Sequence, residues 1–149
     1  MTIINANDRI ADCLAVRYAV FVDEQGVDPD VEKDGYDEPD SPCDHYLIEE
    51  GGSLVGAFRV LLDEGDAAHV GRLCVLSTYR GKGLGSAALA FASREYAAKG
   101  YAKLVLGAQC HAVPFYEKCG FKVISDIYYD AGMPHRKMEK LLTKGDITV

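Results

Sequence analysis

Apolar and polar positions change their period several times along this chain, and each change marks an element. Residues 1–4, with Ile3 and Ile4, predict a short first strand. Ile10, Leu14, Arg17/Tyr18 and Phe21 then recur at helical spacing, with Asp8 placed to cap that helix. Gly26 and Pro29 interrupt it. The polar stretch up to Asp44, which holds Pro29, Pro39 and Pro42, reads as a mobile loop with room for one short helix. Apolar runs over 45–50 and 53–62 flank Gly51-Gly52 and predict a hairpin, followed by a turn at 63–66 and a third strand over 67–76. Leu84, Ala87, Ala88, Phe91 and Ala92 form a stripe at i, i+3, i+4 and i+7, so 84–99 is a helix closed by Gly100. A strand over 101–108, a shorter helix over 112–119 and strands over 121–125 and 135–141 follow, the last two joined around Asp130-Ala131-Gly132.

The strand–helix–strand unit from 71 to 108 implies a right-handed parallel crossover inside an otherwise antiparallel sheet. The expected fold class is therefore mixed α/β, a mostly antiparallel central sheet flanked by helices. A chain of 149 residues, 48% apolar and without repeats, fits one domain over 1–149.

Composition narrows the setting. No stretch is long and apolar enough to span a bilayer, and residues 1–5 lack the regions of a secretory signal. Five cysteines at 13, 43, 74, 110 and 119 form no Cys-x-x-Cys pair, so reduced thiols and a cytoplasmic location are expected. The cysteines and four histidines show no zinc-ligand spacing, and no metal is expected.

Net charge is −7, unevenly spread: residues 1–71 carry 17 Asp/Glu against 4 Lys/Arg, and residues 72–149 carry 6 against 12. Between Asp23 and Asp44 ten acidic residues face only Lys33. Such a rim attracts a cationic amine and repels nucleic acid, while the basic half suits an anionic ligand. A solvated acidic face is the other reading of the same charges.

The chemistry concentrates in Val75-Leu76-Ser77-Thr78-Tyr79-Arg80-Gly81-Lys82-Gly83-Leu84-Gly85, a glycine-rich turn between strand and helix. Backbone N–H groups at a helix N-terminus, with the macrodipole behind them, favour a phosphate or pyrophosphate, and Arg80 and Lys82 add positive charge. A Walker loop is excluded, because no Gly-x-x-x-x-Gly-Lys run precedes Ser or Thr. A dinucleotide fingerprint is disfavoured: the glycines stand two apart, position 86 is Ser, and the strand ending at Ala108 closes without an acidic residue.

Arg-x-x-Gly-x-Gly, as Arg80, Gly83 and Gly85, resembles the coenzyme A pyrophosphate loop of the GNAT superfamily of N-acetyltransferases. Ala112-Val113-Pro114-Phe115-Tyr116-Glu117-Lys118-Cys119-Gly120-Phe121 is similar to that family's late helix with its tyrosine. The resemblance covers nearly the whole chain and implies the GNAT (acyl-CoA N-acyltransferase) fold, with acetyl-CoA as cosubstrate. It implies that Leu73, Cys74 and Val75 supply strand contacts to pantetheine, with an N–H near Val75 polarising the thioester carbonyl. Arg80, Gly81, Lys82, Gly83, Leu84 and Gly85 would hold the pyrophosphate. Tyr116 would be the general acid that protonates the departing thiolate. Gln109 stands where the family often has Asn and would reach pantetheine with a longer side chain.

No general base is legible: Glu24, Asp37, His45, His111 and His135 are the polar candidates, and a water chain can serve instead. Cys74 reads as a small buried hydrophobe rather than an acyl carrier. A closer resemblance, to the small bacterial ElaA-like acetyltransferases, is carried by Arg17, the run 20–27, His45, Ala108-Gln109 and the run 132–138. The partner implied is a small-molecule amine, cationic if the acidic rim steers it, with no nucleic acid and no membrane; a homodimer is left open. An acyl-CoA sensor without turnover and an amino-sugar-phosphate N-acetyltransferase are the alternatives.

Overall fold

The computed structural model describes residues 1–147, and the side chains of all of these except 63 and 64. Its centre is one sheet of eight strands: β1 Thr2–Asn5, β2 Cys43–Glu50, β3 Ser53–Glu64, β4 Ala67–Val75, β5 Lys103–Gln109, β6 Lys122–Val123, β7 Tyr128–Asp130 and β8 Met133–Leu141. The order is β1-β2-β3-β4-β5-β8-β6, with β7 also on β8, and every pairing is antiparallel except β4 with β5. The mixed sheet and its single parallel crossover are as the sequence predicts. Gly51 and Gly52, at φ +59° and +84°, make the tight turn between β2 and β3 that only glycine adopts cheaply twice in a row.

The helices are α1 Ile10–Arg17, α2 Pro29–Glu32, α3 Leu84–Ala98, α4 Val113–Lys118 and α5 Lys144–Ile147. No helix among the described residues is long and apolar enough to cross a membrane. Asp8 does not cap α1. The Ala6 N–H bonds the His45 carbonyl at 2.7 Å and Asn7 Oδ1 accepts the His45 N–H at 2.6 Å, so the chain is still pinned to β2 there and the helix starts beyond Arg9. Past Arg17 the helix widens into a π-helical segment, Tyr18–Glu24, which carries Phe21 out of the regular stripe. The strand expected over 121–125 shortens to β6, and β7 is an addition that the sequence pattern does not show.

Alternation along β2 and β3 sends side chains to two cores. Tyr46, Ile48, Val55, Phe58 and Val60 pack under Leu84, Ala88, Leu89, Ala92 and Tyr96 of α3. Leu47, Ala57 and Cys74 pack with Cys13, Val16 and Val20 on the opposite face.

The segment from Pro29 to Asp44, expected as a mobile loop, is folded around a buried ion cluster. Asp28 caps α2 through the Asp30 N–H at 2.9 Å, and Asp34 and Asp37 cap each other's backbone across the turn Gly35–Asp37. The Arg17 guanidinium, 1% exposed, gives Nε to Glu32 at 2.8 Å and Nη1 and Nη2 to Asp37 at 2.7 and 3.1 Å. Arg59 forms a two-pronged pair with Asp34, both bonds 2.7 Å, and Arg72 Nε lies 3.0 Å from Glu32. The segment is polar because its carboxylates answer arginines on α1, β3 and β4.

Candidate functional site

The parallel ladder between β4 and β5 holds only three pairs: Ala67 with Lys103, Ala68 with Leu104, and His69 with Val105. Beyond them β4 stays on β3 but shifts register, pairing Gly71 with Arg59 and then Cys74 with Ala57. The extra residue forms a bulge, and Arg72 sits in it at φ +54°, a left-handed backbone uncommon for a residue other than glycine. Its guanidinium reaches Glu32 and Asp34, so the ion cluster anchors the bulged residue. The two central strands therefore splay, and the gap opens into a cavity of about 780 Å³.

Leu73, Cys74, Val75, Arg80, Gly81, Gly83, Leu84, Gly85, Gln109 and Tyr116 all line this cavity. Lys82 is not on the wall; its ammonium stands 5.3 Å from the centre of the Tyr79 ring. Gly81 and Gly83 take φ +76° and +80°, and Gly83 begins α3 with no side-chain cap. The first-turn N–H groups of this 15-residue helix are thus left for an anion, and a pyrophosphate fits that chemistry. Gly85 serves the packing as well. A Cβ there would stand 3.1 Å from the Phe115 ring, so its bareness lets α4 close on α3. Arg80 turns from the loop toward the sheet. Its Nε donates to the Val75 carbonyl at 2.9 Å, and its two terminal nitrogens bond the Glu24 carboxylate.

Tyr116 is half-buried on α4, edge-on to Phe115 and Phe121. Burial pushes its phenol up to about 12, with the Cys119 and Cys74 thiols adding to the rise. It therefore carries its proton at neutral pH, and its hydroxyl has no hydrogen-bond partner among the described residues. Cys74 lines the gap, yet its thiol packs in the second core, and burial pushes it up to about 12; it is no nucleophile at neutral pH.

Gln109 lies in a chain the sequence does not reveal. It donates from Nε2 to Gln25 Oε1 at 2.9 Å and accepts from His111 Nε2 at 2.6 Å, and all three residues line the cavity. The base candidates separate by place. Glu24 is held by Arg80, which lowers its carboxyl. Asp37 belongs to the ion cluster, and His45 is buried with Nε2 on the Tyr36 carbonyl at 3.1 Å. His111 and His135 are on the cavity wall. The wall also includes Val20, Phe21 and Val27, which the sequence marked as part of the run 20–27, and Val31 and Tyr128, which it did not single out. Tyr128 lies across β5 so closely that a Cβ on Gly107 would stand 2.3 Å from its hydroxyl; that bare glycine is the one trace the contact leaves in the sequence. No group of three or more His, Cys, Asp or Glu among the described residues could hold a metal ion.

Comparison with known proteins agrees with this geometry. The GNAT acetyltransferase domain model matches residues 19–142. The chain is 35% identical to the uncharacterized N-acetyltransferase YjcF of Bacillus subtilis, over 89% of this chain and 93% of that one. The structure superposes on a candidate N-acetyltransferase from Lactobacillus plantarum with TM-score 0.87 and 29% identity, covering 95% and 98% of the two chains. It superposes on Escherichia coli ElaA with TM-score 0.79 and 26% identity, covering 93% and 97%.

Proposed function

The chain belongs to the GNAT acetyltransferase family and is an acyltransferase, and from that premise we propose that it moves acetyl from acetyl-CoA to a primary amine by direct attack, with both substrates bound together. One observation carries the reading: the β4–β5 gap, the uncapped start of α3 and the open hydroxyl of Tyr116 share a single cavity. Leu73 to Val75 and Gln109 would hold pantetheine, and Gly81, Gly83, Leu84 and Gly85 the pyrophosphate, with Arg80 and Lys82 adding charge around the turn. Acetyl-CoA supplies the activated acyl group; the protein supplies position, a polarising N–H near Val75 and a proton from Tyr116.

The acceptor reading is narrower than the sequence suggests. Glu24, Glu32, Asp34 and Asp37 are each paired with arginine, so they steer little. Among the described residues no arginine pairs Asp23, Asp28, Asp30, Glu38 or Asp40, and these remain to attract an ammonium. The amine would then lie against Val20, Phe21, Val27 and Val31. Thiol release from acetyl-CoA across a panel of primary amines tests the proposal. Turnover is expected with amines that join a cationic head to an apolar body. Binding of acetyl-CoA with no thiol released for any amine would favour a sensor.

A further inference from the structure

We propose that His135 is the general base of the transfer, taking the acceptor's proton at Nε2. The inference rests on the transferase reading above and adds the residue it lacks. His135 is the cross-strand partner of Gln109, so the two side chains share the face of the sheet that carries Gly107. The residue is 9% exposed and lines the cavity, and its ring stacks on Tyr128 at 5.8 Å and 27°. Nδ1 lies 2.8 Å from the Met133 carbonyl. A carbonyl only accepts, so Nδ1 carries the hydrogen and the lone pair of the neutral ring is on Nε2. Nε2 has no hydrogen-bond partner among the described residues. A buried ring with one tautomer imposed and its basic nitrogen unspent is built to accept a proton. His111, the rival on the same wall, donates from Nε2 to Gln109 and so has its lone pair on Nδ1, but its ring is exposed rather than enclosed. From the elements packed against His135, the titratable groups are Tyr128 and Asp130 on β7 and Cys110 and His111 after β5, with Arg136 beside it and Lys137, opposite Gly107, on β8.

The step balances. The acceptor arrives as an ammonium and passes one proton to His135 Nε2. The freed nitrogen pair forms the C–N bond to the acetyl carbon, and the C–S bond breaks with its electrons on sulfur. Tyr116 protonates the sulfur, the second proton lost by nitrogen restores the phenol, and His135 releases its proton to solvent. One ammonium and one thioester give one amide, one thiol and one proton.

The test compares wild type with His135→Gln and His135→Ala in thiol release from acetyl-CoA, using phenethylamine, spermidine and glucosamine 6-phosphate among the probe amines. Both variants should bind acetyl-CoA as wild type does, which also reports that they fold. Their kcat should fall by about 10²–10⁴-fold, the usual worth of a positioned base. The acid limb of the pH–rate profile should disappear, and added imidazole should restore part of the His135→Ala rate. Unchanged kcat and acid limb in His135→Gln would overturn the assignment while leaving the transferase reading intact. A wild type that turns over no amine instead removes that reading. Nitrogen-15 NMR of the histidine ring with acetyl-CoA bound decides the base independently of any acceptor: protonated Nδ1 is expected, and protonated Nε2 in the neutral ring overturns the proposal.

Discussion

On one side of the bulge at Arg72 lie Arg17, Arg59 and Arg72 with Glu32, Asp34 and Asp37, charges drawn together so that every carboxylate has a guanidinium partner. On the other side lies a cavity where Tyr116 and His135 each keep a polar atom that nothing in the described protein satisfies. Both groups are polar, largely withdrawn from water and drawn from distant parts of the chain. The difference is that every charged group of the cluster has a protein group of opposite charge against it. A satisfied network specifies a fold, whereas an open polar atom in a concave wall is held ready for something that is not protein.

Tyr116→Phe probes the open side and carries the largest expected effect. The ring still fills its place, so acetyl-CoA affinity and Tm should hold while kcat falls by about 10²–10⁴-fold. A normal kcat where chemistry limits the rate would make Tyr116 a packing residue and dissolve the contrast.

Arg17→Ala probes the closed side. It removes the guanidinium that bridges Glu32 and Asp37, leaving them only Arg72 and Arg59, and breaking a buried pair of this kind costs about 3–5 kcal/mol. Urea unfolding should show that cost, while the protein that remains folded should still bind acetyl-CoA. A loss under about 1 kcal/mol would mean that water reaches the cluster and that it is a surface network after all.

Acid should separate the two sides further. Burial alone would raise the Asp37 carboxyl, but hydrogen bonds from Arg17 and the Asp34 backbone and the nearby arginine charges bring it from the ordinary 3.8 to about 2. A carboxyl depressed in the folded state stabilises that state above its unfolded value. It therefore contributes about 2 kcal/mol above roughly pH 4, lost as pH falls toward 2. Asp37→Asn should flatten the acid dependence of stability between those limits; a wild-type slope in the variant would place the acid-sensitive group elsewhere.

Gly83→Val should have the smallest effect. Nothing lies within 4 Å of a Cβ at this position, so the cost comes from φ +80° and from crowding an anion at the start of α3. Acetyl-CoA affinity should fall roughly tenfold, about 1.4 kcal/mol, by calorimetry. Unchanged affinity in a folded variant would take this turn out of the cofactor site.

The contrast also explains what could be read in advance. The glycine turn, the α3 stripe and the Phe115-Tyr116 helix are local patterns, and the structure places them as read, around one cavity. What escaped depends on partners far along the chain. The acidic run reads as a mobile rim until Arg59 and Arg72, on strands of the next hairpin, are seen to neutralise it. The left-handed bulge falls on Arg72, where no propensity predicts it, rather than on neighbouring Gly71. His135 looks like any strand histidine until Met133 imposes its tautomer. Gln25 and Gln109, 84 positions apart, share no pattern that a period could reveal.

The three-pair ladder between β4 and β5 has a consequence for how the molecule comes apart. Among the described residues it is the only strand ladder that joins β1–β4 to the strands that follow, and beyond His69 it stops. Cooperative opening units follow such lines of sparse pairing. On this line the sheet should open as two units joined at one end, with α3 laid across the join. Amide exchange at Gly71–Cys74 should therefore report breathing of that join, slowing when a ligand's own backbone-like amides take the place of the missing strand.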